Sequence, residues 1–167
     1  MPAGMNRYSL PPPTYEAPQV LTRHPKGLLK IFQANVGRAP DANDAALQLA
    51  RDAGAAVILL QEPWFDREET RTKTHPAYRV YRPQTPERPR VLTFIHKNLR
   101  GYTTGGSIGT DLLRVFLSNK GITVVNIYRP PNEGSQRRIH IDLLAISILR
   151  RAVVIGDFNA ISLMWQS

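Results

Sequence analysis

Asp157 and Asn159 carry side-chain oxygens at the end of a run of four apolar residues and a glycine, A-V-V-I-G-D-F-N at 152–159. A strand buried on both faces reads as continuous apolar sequence, and ligands in α/β proteins collect outside strand ends. A carboxylate and a carboxamide delivered there suit phosphate chemistry, although Asp, Asn and Gly also make ordinary turns. Three further strand-like runs end in polar groups: 28–36 carries Asn35, 55–60 delivers Gln61 and Glu62, and 121–128 ends in Tyr128. The chemistry suggested is phosphoryl hydrolysis with a divalent metal. Mg²⁺, or Mn²⁺ in its place, takes hard oxygen ligands and keeps several waters, so one or two carboxylates hold it. Glu62 is the expected metal ligand, with Asn35 a neighbouring oxygen donor. Asp157 would orient or deprotonate the attacking water. Asn159 and Tyr128 would hydrogen-bond the developing charge.

The elements that must position these residues follow from periodicity and turn signals. The run at 28–36 alternates loosely and stops at Gly37. Asp41 is expected to cap a helix with Ala42, Ala46, Leu49, Ala50 and Ala53 on one face and Gly54 at its end. The apolar run 55–60 follows, and a strand–helix–strand unit with both strands buried predicts a parallel pair and an α/β fold. Residues 66–100 are polar and proline-spaced, with short strands expected at 78–82 and 91–97. From Arg71 to Arg100 there are eight Lys or Arg and one acid, Glu87. Such a run is usually a solvated surface. Interleaved Tyr78, Tyr81 and Phe94 make a phosphate-contacting face the alternative, with Arg79, Arg82 and, beyond the run, Arg129 as candidate nucleic-acid contacts. Residues 101–110 are turn-rich and include a G-x-S-x-G match at 105–109. A nucleophile elbow needs a strand before and a helix after it, and a strand at 112–118 follows instead, so Ser107 reads as a loop residue. Strand 121–128 then leads to a helix expected at 135–150, striped by Ile139, Leu143 and Ile146, with strand alternation over 139–143 as the other fit.

Composition narrows the partners. There are 22 Lys and Arg against 13 Asp and Glu, a net charge of +9, and no cysteine. A polyanion is the default partner, nucleic acid before an anionic membrane surface. The absence of cysteine removes disulfide and thiolate–metal readings and fits a reducing, intracellular setting. No apolar run approaches a membrane span, and the N-terminus lacks a secretory pattern. Residues 1–27 hold six of the fourteen prolines without apolar periodicity and read as a disordered leader before one domain at 28–167.

Q-A-N-V-G at 33–37, L-L-Q-E-P-W at 59–64, N-I-Y-R-P-P-N at 126–132 and V-I-G-D-F-N-A at 154–160 stand in that order. This set resembles the motifs of the endonuclease/exonuclease/phosphatase superfamily, and its variants most resemble the endonuclease domain of non-LTR (LINE-type) retrotransposons. The resemblance implies a two-sheet α/β sandwich with outer helices, as in DNase I-like folds, and Mg²⁺-dependent nicking of DNA. It places Asn35 and Glu62 at the metal, Tyr128 on the phosphate, and Asp157 with Asn159 as the water-orienting pair. It also implies a reverse-transcriptase domain in the full-length element and action in the nucleus. Two departures stand out. The family's closing Asp-His motif has no counterpart after Ser167, and His24, His75, His96 and His140 match no family position. The residues between G-D-F-N-A and Trp165 lack the usual histidine. A truncated copy with little activity, an incomplete second sheet and an exposed edge is therefore expected. The alternatives are a basic nucleic-acid-binding remnant without catalysis and a phosphodiesterase acting on inositol phosphates or lipid head groups. A serine hydrolase built on Ser107 is the unrelated reading.

Overall fold

A computed structural model describes residues 28–104, 109–130 and 151–159. Within them the chain runs β1 (Ile31–Asn35), α1 (Pro40–Asp52), β2 (Val57–Gln61), β3 (Tyr78–Tyr81), β4 (Val91–His96), β5 (Gly101–Thr103), β6 (Leu112–Leu117), β7 (Ile122–Tyr128) and β8 (Ala152–Asp157). The strands form two four-stranded sheets, ordered β1-β2-β4-β3 and β5-β6-β7-β8. Each sheet contains one parallel pair, β1 with β2 and β7 with β8. The remaining pairs are antiparallel.

The two-residue period of a strand decides which side chains meet. Val57 and Leu59 of β2, Val91 and Ile95 of β4, Leu113, Val115 and Leu117 of β6 and Val124 of β7 share one buried cluster between the sheets. The alternate residues Ile58, Leu60, Leu92 and Phe94 pack on α1 through Ala46, Leu47 and Ala50. On the outer face of the second sheet, Leu112, Val125 and Ile127 form a smaller cluster with Ala152, Val154 and Phe158. The result is the two-sheet α/β sandwich that the family resemblance implies; the strand and helix signals by themselves predict an α/β fold with a parallel pair, here β1 with β2.

α1 has no side-chain cap: Ala39 occupies the cap position in extended conformation and Pro40 opens the helix. Asp41 sits in the first turn, where a carboxylate faces the helix dipole, and does not cap. Its buried residues are Asn43, Ala46, Leu47 and Ala50, while Leu49 is 60% exposed. The expected face is displaced because Asn43 turns inward to accept the Trp64 N–H at 3.1 Å. A helix of 13 residues without a side-chain cap is marginal alone, so packing on β2 and β4 holds it. Gly54, at φ +68°, ends it as expected.

Two other expectations change. Residues 101–103 form β5 against β6, where the sequence predicts a turn, because Gly101 lies close under Val115 and Leu117. β8 is half-buried along its whole length, since it is the edge strand of its sheet among the described residues. Within it Gly156 pairs with Ile127, and a Cβ there would run into the Ile127 backbone. The leader, Ser107, the expected helix at 135–150 and Trp165 lie outside the described residues.

Candidate functional site

Strand alternation brings Asn35, Tyr128 and Asp157 to one place. Each continues the series facing the other sheet: Ile31, Gln33, Asn35; Val124, Asn126, Tyr128; Val153, Ile155, Asp157. The C-terminal ends of β1, β7 and β8 therefore open onto one mouth of the layer between the sheets. Asn35 donates from Nδ2 to Asp157 Oδ2 at 2.9 Å across 122 residues of sequence, and its Oδ1 accepts the Gly37 N–H at 2.9 Å.

Glu62 reaches this mouth by a different device. Alternation would send it to the α1 side with Leu60, but its backbone takes φ +48°, a left-handed conformation uncommon for a residue with a Cβ. Its N–H donates to the Arg90 carbonyl at 2.8 Å and its carbonyl accepts from the Arg38 N–H at 2.7 Å, which holds the reversal. Its charge acts on the Tyr128 hydroxyl, together with that of Asp157. Tyr128 is only 5% exposed. Burial pushes its pKa up to about 12, with further upward pushes from the Glu62 hydrogen bond and charge and the Asp157 charge, opposed by Arg90. The phenol therefore remains a proton donor at neutral pH.

Asn159, at φ +39°, donates its backbone N–H to Asp157 Oδ1 at 3.1 Å. Its side-chain amide donates to the Arg129 carbonyl at 2.6 Å, and the Arg129 N–H in turn donates to the Asp157 carbonyl at 2.8 Å. Thus Asn159 and Arg129 brace Asp157 from the chain on either side. Asp157 receives N–H groups on both oxygens, from Asn35 and Asn159.

Beside Glu62 is a pocket of about 260 Å³ walled by Arg38, Arg88, Arg90 and Thr110. Arg38 Nε stands 3.8 Å from Glu62 Oε1, and Arg90 Nε pairs with Asp111 at 2.9 Å. A second, shallower depression shares Glu87, Arg88 and Pro89 with it and runs along the proline-spaced loop to Arg82. Arg79 is placed elsewhere. It pairs with Ile95 toward the opposite end of β4, and its guanidinium donates to the Leu99 and Lys97 carbonyls at 3.1 and 3.3 Å. The interleaved aromatics are packing residues and not a stacking face. Phe94 is fully buried, Tyr78 donates to the Ala55 carbonyl at 2.8 Å, and Tyr81 donates to the Gly101 carbonyl at 2.7 Å.

The donor set fits a hard divalent cation. Glu62 and Asp157 both act on Tyr128, and Asn35 adds a carboxamide oxygen. Among the described residues no three His, Cys, Asp or Glu cluster as a closed protein cage.

Sequence reasoning put Gln61 at a strand end beside Glu62 and gave Asn126 no place; both lie directly beneath the mouth. Gln61 and Asn126 are fully buried in the layer between the sheets. Gln61 Nε2 donates to Asn126 Oδ1 at 2.6 Å, and Gln61 Oε1 accepts from Gln33 at 2.6 Å. A readable signal existed: an asparagine inside the strand V-V-N-I-Y, where Asn is disfavoured.

The sequence profile of the Endonuclease/Exonuclease/phosphatase family matches residues 32–167. The chain belongs to that family. Among solved structures of this fold, the endonuclease domain of TRAS1, a telomere-specific non-LTR retrotransposon, is similar at 20% identity and TM-score 0.63, over 81% of this chain and 61% of that one. D. rerio TDP2 complexed with single-strand DNA product is similar at 15% identity and TM-score 0.58, over 80% and 62%. An AP endonuclease from Archaeoglobus fulgidus is similar at 18% identity and TM-score 0.53, over 80% and 58%. The chain thus spans about three fifths of the length of these solved chains. No curated protein matches the sequence.

Proposed function

We propose that this endonuclease/exonuclease/phosphatase-family chain acts on DNA by hydrolysing a phosphodiester bond, as a nicking endonuclease of the retrotransposon type. One observation carries the reading. Four strand ends bring Asn35, Glu62, Tyr128 and Asp157 to one mouth, with Asn35 bonded to Asp157 and the Tyr128 hydroxyl under the influence of Glu62 and Asp157. In the reaction, water adds to phosphorus, one P–O ester bond breaks, and the departing oxygen takes up a proton.

Asp157 accepts the proton of the attacking water. The N–H groups of Asn35 and Asn159 fix its orientation and leave a lone pair for that water. Tyr128, protonated at neutral pH, donates toward a non-bridging phosphate oxygen. Glu62 and Asn35 would hold Mg²⁺ or Mn²⁺, which when bound supplies Lewis-acid neutralisation of the phosphate charge. Arg82 and Arg88, along the depression leading from Glu62, would contact phosphates of the flanking strand. In a retroelement the activity would serve insertion, beside a reverse-transcriptase domain and in the nucleus.

A second reading, a DNA-binding chain that cleaves slowly or not at all, is favoured by the net charge of +9, which draws a polyanion whether or not it is cleaved. Supercoiled plasmid incubated with the chain and Mg²⁺ separates the readings. Nicked circles that vanish on chelation and in Glu62→Ala support the nuclease. Salt-sensitive DNA binding without nicking supports the second reading. Turnover of inositol phosphates or lipid head groups in preference to DNA would replace both.

A further inference from the structure

The outer face of the second sheet carries two aromatic side chains at its β5 edge. β5 stands first in that sheet, so one of its sides has no partner strand among the described residues. Val115 and Leu117 face the layer between the sheets, and Gly101 lies against both. Strand alternation therefore turns Tyr102, Arg114 and Phe116 the other way. Tyr102 pairs directly with Phe116 in the ladder, and their ring centroids stand 5.3 Å apart with the planes tilted by 59°. Phe116 is half-buried, whereas Tyr102 is 53% exposed. A lone exposed tyrosine is ordinary on a protein surface. Here a second ring backs it and fixes its orientation.

The charge around this pair has one sign. Between Val91 and Arg129 the chain carries five Lys or Arg and a single acid, Asp111. Asp111 precedes β6, at the end away from Phe116, and is paired with Arg90 at 2.9 Å. Arg114 lies one strand period from Phe116 on the same face, and Arg100 one period from Tyr102. The Arg100 carbonyl accepts the Ser118 N–H at 2.9 Å, which holds Arg100 near the turn that carries Lys120 into β7. Arg100 is exposed, Arg114 and Lys120 are partly so, and no ion pair among the described residues uses them. Aromatic rings set in a cationic surface suit a single nucleic-acid strand: bases stack on the rings while phosphates follow the cations. A duplex keeps its base faces covered and has no use for the rings. An apolar protein partner has no use for the cations.

We infer that Tyr102 and Phe116, with Arg100, Arg114 and Lys120, form a binding face for single-stranded nucleic acid that is separate from the mouth. Phe116 pairs with Thr123, five residues before Tyr128 on β7. The face thus lies about 17 Å along the strands from the mouth, and on the other side of the sheet. A strand held here and a strand lying in the mouth are two ligands. The face does not depend on hydrolysis and goes beyond the nicking activity proposed above. A merely structural aromatic pair would stabilise the sheet edge and leave affinity for oligonucleotides alone.

The test is fluorescence anisotropy of labelled oligo(dT) and oligo(U), each of about 12 nucleotides, with the full chain in EDTA so that hydrolysis plays no part. Tyr102→Leu keeps an apolar side chain against Phe116 and removes the stacking ring, and should weaken binding by about tenfold. Tyr102→Trp keeps a ring and should bind as the wild type does. Arg100→Gln and Lys120→Gln should each lower the slope of log K against log salt by about 0.7. A loss on both oligonucleotides assigns the face to either kind of strand, and a loss on one alone assigns it to that sugar. Affinities unchanged in Tyr102→Leu overturn the inference. So does capture by phosphatidylserine vesicles with no binding of either oligonucleotide. Should Tyr102→Leu not fold, the wild-type chain is photo-crosslinked to an iodouracil-substituted oligonucleotide and the adducts are mapped by mass spectrometry. Adducts on Tyr102 or Phe116 support the face, and adducts only elsewhere overturn it.

Discussion

Tyr128 is where burial, hydrogen bonding and charge act on one proton. The ordinary phenol value is 10, and in the folded protein it is pushed up to about 12. The folded state therefore binds this proton more tightly than the unfolded chain does. The stabilisation is fully present below about pH 10 and is lost as pH rises toward about 12. Thermal melts from pH 9 to 12 should show a fall in Tm that is shallower in Tyr128→Phe; equal slopes would contradict the linkage. Asn35 invites a second residue-level test. Its Nδ2 lies 2.9 Å from Asp157 Oδ2, so Asn35→Asp puts two carboxylates where one donor and one acceptor met. Like charges at that distance cannot both ionise freely, and the pair should retain a proton to higher pH. The acidic limb of the pH–rate profile should move upward, and activity at neutral pH should drop by about tenfold or more, given that each pK unit is a factor of ten in ionisation.

At the scale of elements, the parallel pair β7–β8 is held where Gly156 lies against Ile127. Gly156→Ala would drive a methyl group into the Ile127 backbone and force the strands apart. Because Asp157 is the next residue, the damage should extend to the mouth. A loss of about 3 kcal/mol is expected, the upper range for overpacking, measured by urea denaturation. The control is Gly37→Ala: Gly37 has φ +54° and open space around its missing Cβ. Only backbone strain applies there, about 1 kcal/mol. α1 supplies a contrasting case. It lacks a side-chain cap, and Leu47, 3% exposed, is its one large buried apolar residue. Leu47→Ala should cost about 2–5 kcal/mol and loosen α1 before the sheets, visible as early hydrogen exchange in residues 40–52.

For the molecule as a whole, the +9 net charge acts at a distance and with little sequence preference. Duplex DNA binding should weaken steeply with salt, because each phosphate contact releases condensed counterions. Arg82→Gln and Arg88→Gln, on the loop leading away from Glu62, should each reduce the slope of log K against log salt by about 1. Arg79→Gln should leave the slope unchanged and lower Tm, since its guanidinium is bonded to the Lys97 and Leu99 carbonyls. Filter binding over a salt series checks all three.

Local chemistry made the strand ends legible. Continuous apolar runs, Gly37 and Gly54 at left-handed positions, and polar residues closing each strand mark where β1, β2, β7 and β8 stop and what they present. The order of those motifs also carries the family. Other features have no local signature. Whether Tyr78, Tyr81 and Phe94 face solvent or core depends on what covers each face of the sheet: α1 covers Tyr78 and Phe94, and the second sheet, later in the chain, packs on Tyr81. Glu62 points to the mouth because Arg38 and Arg90 hold its reversed backbone, bonds made to residues 24 and 28 positions away. Asn126 reads as an oddity in a strand until the packed sheets put β2 and β4 carbonyls opposite it. Sequence by itself determined the periodicities and the identities of the chemical groups, because these follow from neighbours along the chain. Only the tertiary structure decided which groups meet, because the packing of one sheet on the other closes the 122-residue gap between Asn35 and Asp157.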